Sequence, residues 1–130
     1  MFTDPISLTP GVAFDAGVVS LPRVSQNGSV SVYRAGPLSV NAGSILQVTA
    51  SHQTGRRIRR SLRLDYSDNA ASTLISGTTA PRSCSAYVVV DVPPANQFTA
   101  ANLQSLLNGL KGTWSATSDA LLLKWLNGES

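Results

Sequence analysis

SILQVTASHQTGRRIRRSLRLDY, Ser44 through Tyr66, holds two runs of alternating character on either side of one glycine, Gly55. In the first, Leu46, Val48 and Ala50 alternate with Gln47, Thr49 and Ser51. In the second, Ile58, Arg60, Leu62, Leu64 and Tyr66 alternate with Arg57, Arg59, Ser61, Arg63 and Asp65. A period of two marks a strand with one buried and one open face. A helix through Arg57–Tyr66 would gather Ile58, Leu62 and Tyr66, which are four apart. It would also leave Leu64 among the polar residues and ignore the alternating partner across the turn. The hairpin is the better reading, and it places Gln47, Thr49 and Ser51 on the same side as the arginines, because pleats stay in phase across paired strands.

Working outward, Ser29–Arg34 alternates after the turn signal Gln26-Asn27-Gly28, and the valine-rich run Ser83–Val92 forms a fourth strand. Weaker strands are expected at Ile6–Leu8, Val12–Phe14 and Val18–Leu21, with bends at Gly11 and Ala16-Gly17. Residues 68–80, DNAASTLISGTTA, are small and polar. They are expected to be mostly exposed loop, with a short strand at Thr73–Ile75.

Composition changes at Pro93-Pro94, after which alanine and leucine fall at helical spacing. Thr99 is placed to cap a first helix, with Phe98 and Leu103 as a hydrophobic staple. Leu103, Leu106, Leu107 and Leu110 make its apolar stripe and Gly112 its stop. A second helix is expected from Ser118, with Asp119 in its first turn, Leu121, Leu122, Trp125 and Leu126 on its apolar face, and Gly128 at its end. The fold class is therefore α+β: a β body over 1–94 and two helices over 95–130. The leucine-rich helices need a surface to cover, and the sheet is the only candidate.

The chain has 130 residues, one domain's worth, with 42% hydrophobic and only 13% charged residues. Soluble domains carry about a quarter charged residues, so this composition leans toward extensive self-association. The net charge is +3, and five of the ten Lys and Arg are Arg56, Arg57, Arg59, Arg60 and Arg63. That concentration suits an anionic partner. A single cysteine, Cys84, excludes an internal disulfide framework and fits a reducing compartment. No apolar run approaches the roughly 20 residues of a membrane helix. The first residues, MFTDPISLTPG, lack the basic and apolar regions of a signal peptide, so the expectation is a chain made and retained in a cytoplasm.

The open face would present Arg57, Arg59 and Arg63 with Gln47, Thr49, Ser51 and Ser61. The last strand adds Ser83, Ser85, Tyr87, Val89 and Asp91 to the same side. Guanidinium groups take phosphates, hydroxyls and amides read base edges, and an exposed tyrosine stacks on an unpaired base. The pattern also fits the solvated face of an antiparallel sheet, and the residues alone leave both readings open.

Three stretches, LQVTAS (46–51), RRSLRLD (59–65) and VVVDVP (88–93) running into the two helices, resemble the coat proteins of single-stranded RNA bacteriophages, the leviviruses. The resemblance implies an N-terminal hairpin, a five-stranded antiparallel sheet and two C-terminal helices, in an intertwined homodimer. Sheets would join edge to edge, with each chain's helices over its partner's sheet. Dimers would close an icosahedral shell whose open sheet face meets the RNA, and the 68–80 loop would line the symmetry axes. The resemblance further implies binding of an RNA hairpin, with repression of translation and marking of the genome for packaging. Family pockets for unpaired adenines map to Thr49, Ser51 and Ser61, flanked by Arg59 and Arg63. Serine replaces a common threonine at 61, and Gln47 lies where a basic residue often sits. The stacking tyrosine of known members falls at Ser85, and Tyr87, two residues along on the same face, could substitute.

His52, the one histidine, is expected at a turn, as a turn residue or a weak RNA contact rather than a general base, with no cysteine or metal-ligand cluster beside it. Cys84 is expected in the core. Asp65 and Asp91 are expected to pair with Arg63, or to limit non-specific RNA affinity, rather than to form a catalytic carboxylate pair. Trp114 and Trp125 are expected to pack in and around the helices. No phosphate-cradling glycine loop, zinc spacing or nucleophile motif is present, so no cofactor, metal or enzymatic role is expected. The alternative to a coat protein is a cellular α+β RNA-binding module that does not form shells.

Overall fold

The computed structural model describes residues 2–11, 14–15, 17–39, 41–94 and 98–129. Two compact units divide the chain, Met1–Val92 and Pro93–Ser130. The first contains β1 (Ile6–Leu8), β2 (Val19–Leu21), β3 (Arg23–Asn27), β4 (Val30–Ala35), β5 (Ile45–Thr54), β6 (Ile58–Ala71) and β7 (Thr79–Val92). The second contains α1 (Ala100–Ser115) and α2 (Ala120–Leu126).

β1 and β2 form a two-stranded antiparallel hairpin, and the other five strands form one antiparallel sheet in the order β3-β4-β5-β6-β7. The expected hairpin is β5–β6, in a continuous register from Ile45↔Ser67 to Thr54↔Ile58. β3 was not legible as a strand, because Arg23–Asn27 carries neither alternation nor a β-branched run. It pairs with β4 across Gly28-Ser29, where Gly28 takes the positive φ of +55° that glycine tolerates.

The apolar face of β4 and β5 is covered within this unit, by the N-terminal hairpin. Val19 and Leu21 of β2 join Tyr33, Leu38, Leu46, Val48 and Tyr66 in one buried cluster, with Ile6, Leu8 and Phe14 against it. The Phe14 ring stacks on that of Tyr66 at 4.0 Å. Beyond that cluster the same face is less well covered: Leu62 of β6 is 48% exposed, and Cys84 of β7 is exposed rather than in the core. Cys84 has the right phase but lies beyond the hairpin's reach, since the buried cluster ends at Tyr66.

The expected loop over 68–80 is shorter than its composition suggested. β6 continues to Ala71 and β7 begins at Thr79, so only 72–78 turns, and Thr73–Ile75 is not a strand. Pairing in this arm overrides the weak β propensity of Asn69, Ala70 and Ala71. At its base, Asp68 is buried and accepts from Tyr66 Oη (2.8 Å) and from Arg82 Nε and Nη2 (2.6 and 3.0 Å). Asn41 Nδ2 donates to the Asn69 carbonyl beside it. His52 is likewise not at a turn: β5 runs to Thr54, and His52 lies opposite Arg60. The expected strand at 12–14 falls mainly on Val12 and Ala13, outside the described residues, as does Ala16 of the expected bend.

Thr99 caps α1 in a reciprocal box, its hydroxyl accepting from the Asn102 amide while the Asn102 side chain accepts from the Thr99 amide. Gly112 does not end α1, which runs on to Ser115. A glycine costs about 1 kcal/mol inside a helix, too little to stop one that Leu110 and Trp114 continue. Thr117, Ser118 and Asp119 all take positive φ, so α2 starts at Ala120 with Asp119 as a left-handed N-cap rather than in its first turn. Gly128, at φ +84°, closes α2 as expected. α1 and α2 contact one another, yet no residue of either helix is buried in the single chain.

The Arg82 and Tyr66 bonds to Asp68, led by Arg82, hold its carboxyl below the ordinary value of 3.8. Asp91 is lowered chiefly by Arg57, and Asp15 by the backbone amides of Gly17 and Ser39. Groups depressed on folding contribute stability that is complete above their unfolded pKa and is lost as pH falls through the folded one. Acid unfolding is therefore expected below about pH 4. Asp68→Asn is expected to be less stable than the parent at pH 7 and to lose less on acidification, measured by thermal melts from pH 7 to 2. Parallel acid limbs in the two proteins would refute this role.

Candidate nucleic-acid interface

The register of β5, β6 and β7 sets the open face out in rows. Gln53, Arg59 and Asp91 form one; Ser51, Ser61 and Val89 the next; then Thr49, Arg63 and Tyr87; then Gln47, Asp65 and Ser85. Every residue expected on the polar side of these strands is there, which follows from strict period two along each strand. Arg57 precedes β6 but reaches the same face, its Nε donating to Asp91 Oδ1 at 2.8 Å.

Ser51, Gln53, Arg59, Ser61, Arg63, Tyr87 and Val89 line a shallow depression of about 410 Å³. Of the nine residues expected to bind RNA, Ser51, Arg59, Ser61, Arg63 and Tyr87 meet there. Thr49 shares the row of Arg63 and Tyr87, Gln47 and Ser85 lie one row on, and Arg57 lies before the Arg59 row. The hydroxyls of Ser51 and Ser61 share a hydrogen bond of 2.6 Å across the two strands. The Tyr87 ring is 66% exposed, free to stack.

The arginines are not bare charges. Arg57 and Arg59 both approach Asp91, at 2.8 and 3.7 Å, and Arg63 Nε sits 2.8 Å from Asp65. The expected pairing of Asp65 with Arg63 holds, whereas Asp91 takes Arg57 and Arg59 instead. Such exposed pairs are worth about 0–1 kcal/mol, so an incoming phosphate can compete for these guanidiniums. The carboxylates lower the attraction for any anion without removing it.

Two residues of this face were missed. Gln53 belongs to a stretch of β5 beyond the expected end at Ser51, where His52, Gln53 and Thr54 are all polar and no alternation announces the strand. Arg34 lies on β4 opposite Gln47, and both its Nε (3.0 Å) and its Nη2 (2.7 Å) donate to Gln47 Oε1. In the sequence Arg34 is in phase with Val30 and Val32, and only the β4–β5 register sets it beside Gln47.

No family model matches the sequence, and no curated protein matches it. Solved structures do. The virus-like particle of Beihai levi-like virus 21 superposes over 100% of this chain and 97% of its own, with a TM-score of 0.68 at 16% identity. The bacteriophage EMS014 coat protein covers 99% and 98%, with a TM-score of 0.63 at 13% identity. The bacteriophage GA capsid protein covers 95% of each, with a TM-score of 0.57 at 14% identity. This chain has the RNA-phage coat-protein fold. The likeness rests on architecture, hairpin, five strands and two helices in one order, rather than on shared residues. In that fold β7 is the last strand of its sheet. Its outer edge has no strand partner among the described residues, and most of its length is exposed.

Proposed function

We propose that this chain is the major capsid protein of an RNA bacteriophage. Two copies pair along β7 into one continuous sheet, with each copy's helices over its partner's sheet. The dimers close an icosahedral shell around single-stranded viral RNA. The protein acts by assembly and binding rather than by catalysis, is assembled in the bacterial host cytoplasm, and resides in the virion. It also binds a stem-loop of that RNA as a translational repressor. The observation that carries this reading is the correspondence, over nearly the full length of both chains, with coat proteins of virus-like particles.

Physical features of the single chain support it. A fourteen-residue edge strand containing Val88, Val89 and Val90 is an aggregation hazard unless another strand covers it. Leu62 on the sheet and Leu106, Leu121 and Trp125 on the helices are all about half exposed or more. Apolar surface on that scale marks an interface. The basic, hydroxyl-rich open face supplies the RNA contacts, with Arg57, Arg59 and Arg63 on phosphates and Gln47, Thr49, Ser51, Ser61, Ser85 and Tyr87 on bases.

The test is electron microscopy of the protein expressed alone, with an ultraviolet absorbance ratio for bound nucleic acid. Uniform closed particles containing host RNA are expected. Dimers that never form shells under assembly conditions would overturn the capsid reading and favour a shell-free RNA-binding module. Replacing both Arg59 and Arg63 with alanine is expected to flatten the dependence of log K on log salt by about 1.4, the release of two single-strand phosphate contacts. Dimers should persist in that variant, as seen by light scattering; their loss would sink the assignment of these residues to the RNA face.

A further inference from the structure

On the open face, three arginines have a carboxylate at hand: Arg57 and Arg59 share Asp91, and Arg63 has Asp65. Arg34 differs. It is exposed, it lies in the row of Gln47, Asp65 and Ser85, and both of its short bonds go to an uncharged oxygen, Gln47 Oε1. Among the described residues no carboxylate lies within ion-pair distance of it, so its charge stays available. A guanidinium has five N–H donors. Gln47 takes two of them and holds the plane, leaving three for another acceptor.

The same contact fixes the polarity of its neighbours. A guanidinium cannot accept, so the Gln47 amide must turn its oxygen to Arg34 and its nitrogen the other way. That nitrogen lies 3.4 Å from Thr49 Oγ1, which accepts from it. The Thr49 proton is thereby left for a partner above the sheet. A guanidinium that donates to phosphate at Arg34 and a hydroxyl donor at Thr49 follow in sequence from the Ser51–Ser61 depression, across β5 and onto β4.

We propose that Arg34, oriented by Gln47, is a phosphate-binding residue, and that the RNA track extends from the depression past Thr49 to β4, away from the β7 edge. The inference rests on the reading that this face binds RNA. It sets Arg34 apart from Arg57, Arg59 and Arg63, each of which has a carboxylate partner, and it makes Gln47 the positioning residue that holds it.

The experiment uses the full chain and a fluorescent twelve-nucleotide oligouridylate, followed by anisotropy across a salt series, with thermal melts to confirm folding. Arg34→Ala is expected to flatten the salt slope by about 0.7, one single-strand phosphate contact, and Arg34→Lys to restore it. Gln47→Glu is the sharper variant. A carboxylate at 47 would hold Arg34 more firmly than the amide does while neutralising it, so the slope should flatten as in Arg34→Ala. A merely structural tie between the two side chains would leave the slope of Gln47→Glu unchanged. Parent slopes in both Arg34→Ala and Gln47→Glu, alongside a flattened slope in Arg59→Ala, would overturn this inference and leave the RNA face standing. A parent chain that binds the oligonucleotide without salt dependence, or not at all, would overturn both.

Discussion

A chain carrying Leu106→Glu together with Leu110→Glu is expected to fold and to fail to assemble. Both leucines lie on the apolar stripe of α1, and in the single chain they are 68% and 40% exposed. Glutamate has nearly the helix propensity of leucine, so α1 should form, held at its start by the Thr99–Asn102 box. What changes is the surface offered to a second copy. Burying a leucine stabilises by about 1.5–3 kcal/mol. A two-fold pair has four of them, but their exposed fractions amount to about two whole side chains, or roughly 3–6 kcal/mol, and each tenfold in affinity is about 1.4 kcal/mol. Dimerisation should therefore weaken by at least about two orders of magnitude, before counting the desolvation of four carboxylates. Size-exclusion chromatography with light scattering reads the outcome. Parent-like particles from this variant would show that the stripe is not an assembly surface.

The largest loss of stability is expected from Leu46→Ala. Leu46 is fully buried on β5, opposite Tyr66 and in one cluster with Leu21, Tyr33 and Val48. Emptying such a site costs about 2–5 kcal/mol, against a total of about 5–15 for a domain. Leu62→Ala provides the contrast. It removes the same atoms from the same face one strand away, where Leu62 is 48% exposed, and should cost under about 1 kcal/mol in the dissociated chain. Urea unfolding at equal m-value separates the two. Equal losses would mean that the hairpin is not what seals this face.

The contrast between Leu46 and Leu62 also shows what the residues disclosed. Face and phase were legible, because Gln47, Thr49, Ser51, Arg59, Ser61, Arg63 and Tyr87 depend only on period two. Which part of the apolar face is covered was not. Val19 and Leu21 reach β5 through a hairpin of two three-residue strands, too short to announce its packing. That is why Cys84, correct in phase, is exposed. Strand ends were misjudged where pairing outweighs propensity, at Asn69–Ala71 and Thr79–Arg82. The rotation between α1 and α2 was hidden because positive φ at Thr117, Ser118 and Asp119 is unusual for such residues. Arg34 was missed for a simpler reason: it stands apart from the arginine run, and only β4–β5 pairing brings it to Gln47.

The paired arm of β6 and β7 has one further consequence. Among the described residues no third strand accompanies it beyond Ser67, and its closing turn, with Leu74 93% exposed, links two strands of fourteen residues each. Below that turn the strands remain joined rung by rung from Ala71↔Thr79 down to Ile58↔Val92. A break in the covalent chain between Leu74 and Ile75 would thus leave two fragments still annealed along their whole common seam. Here the polypeptide can be opened without being divided, and a foreign peptide spliced in at that point would enter a place the sheet does not need.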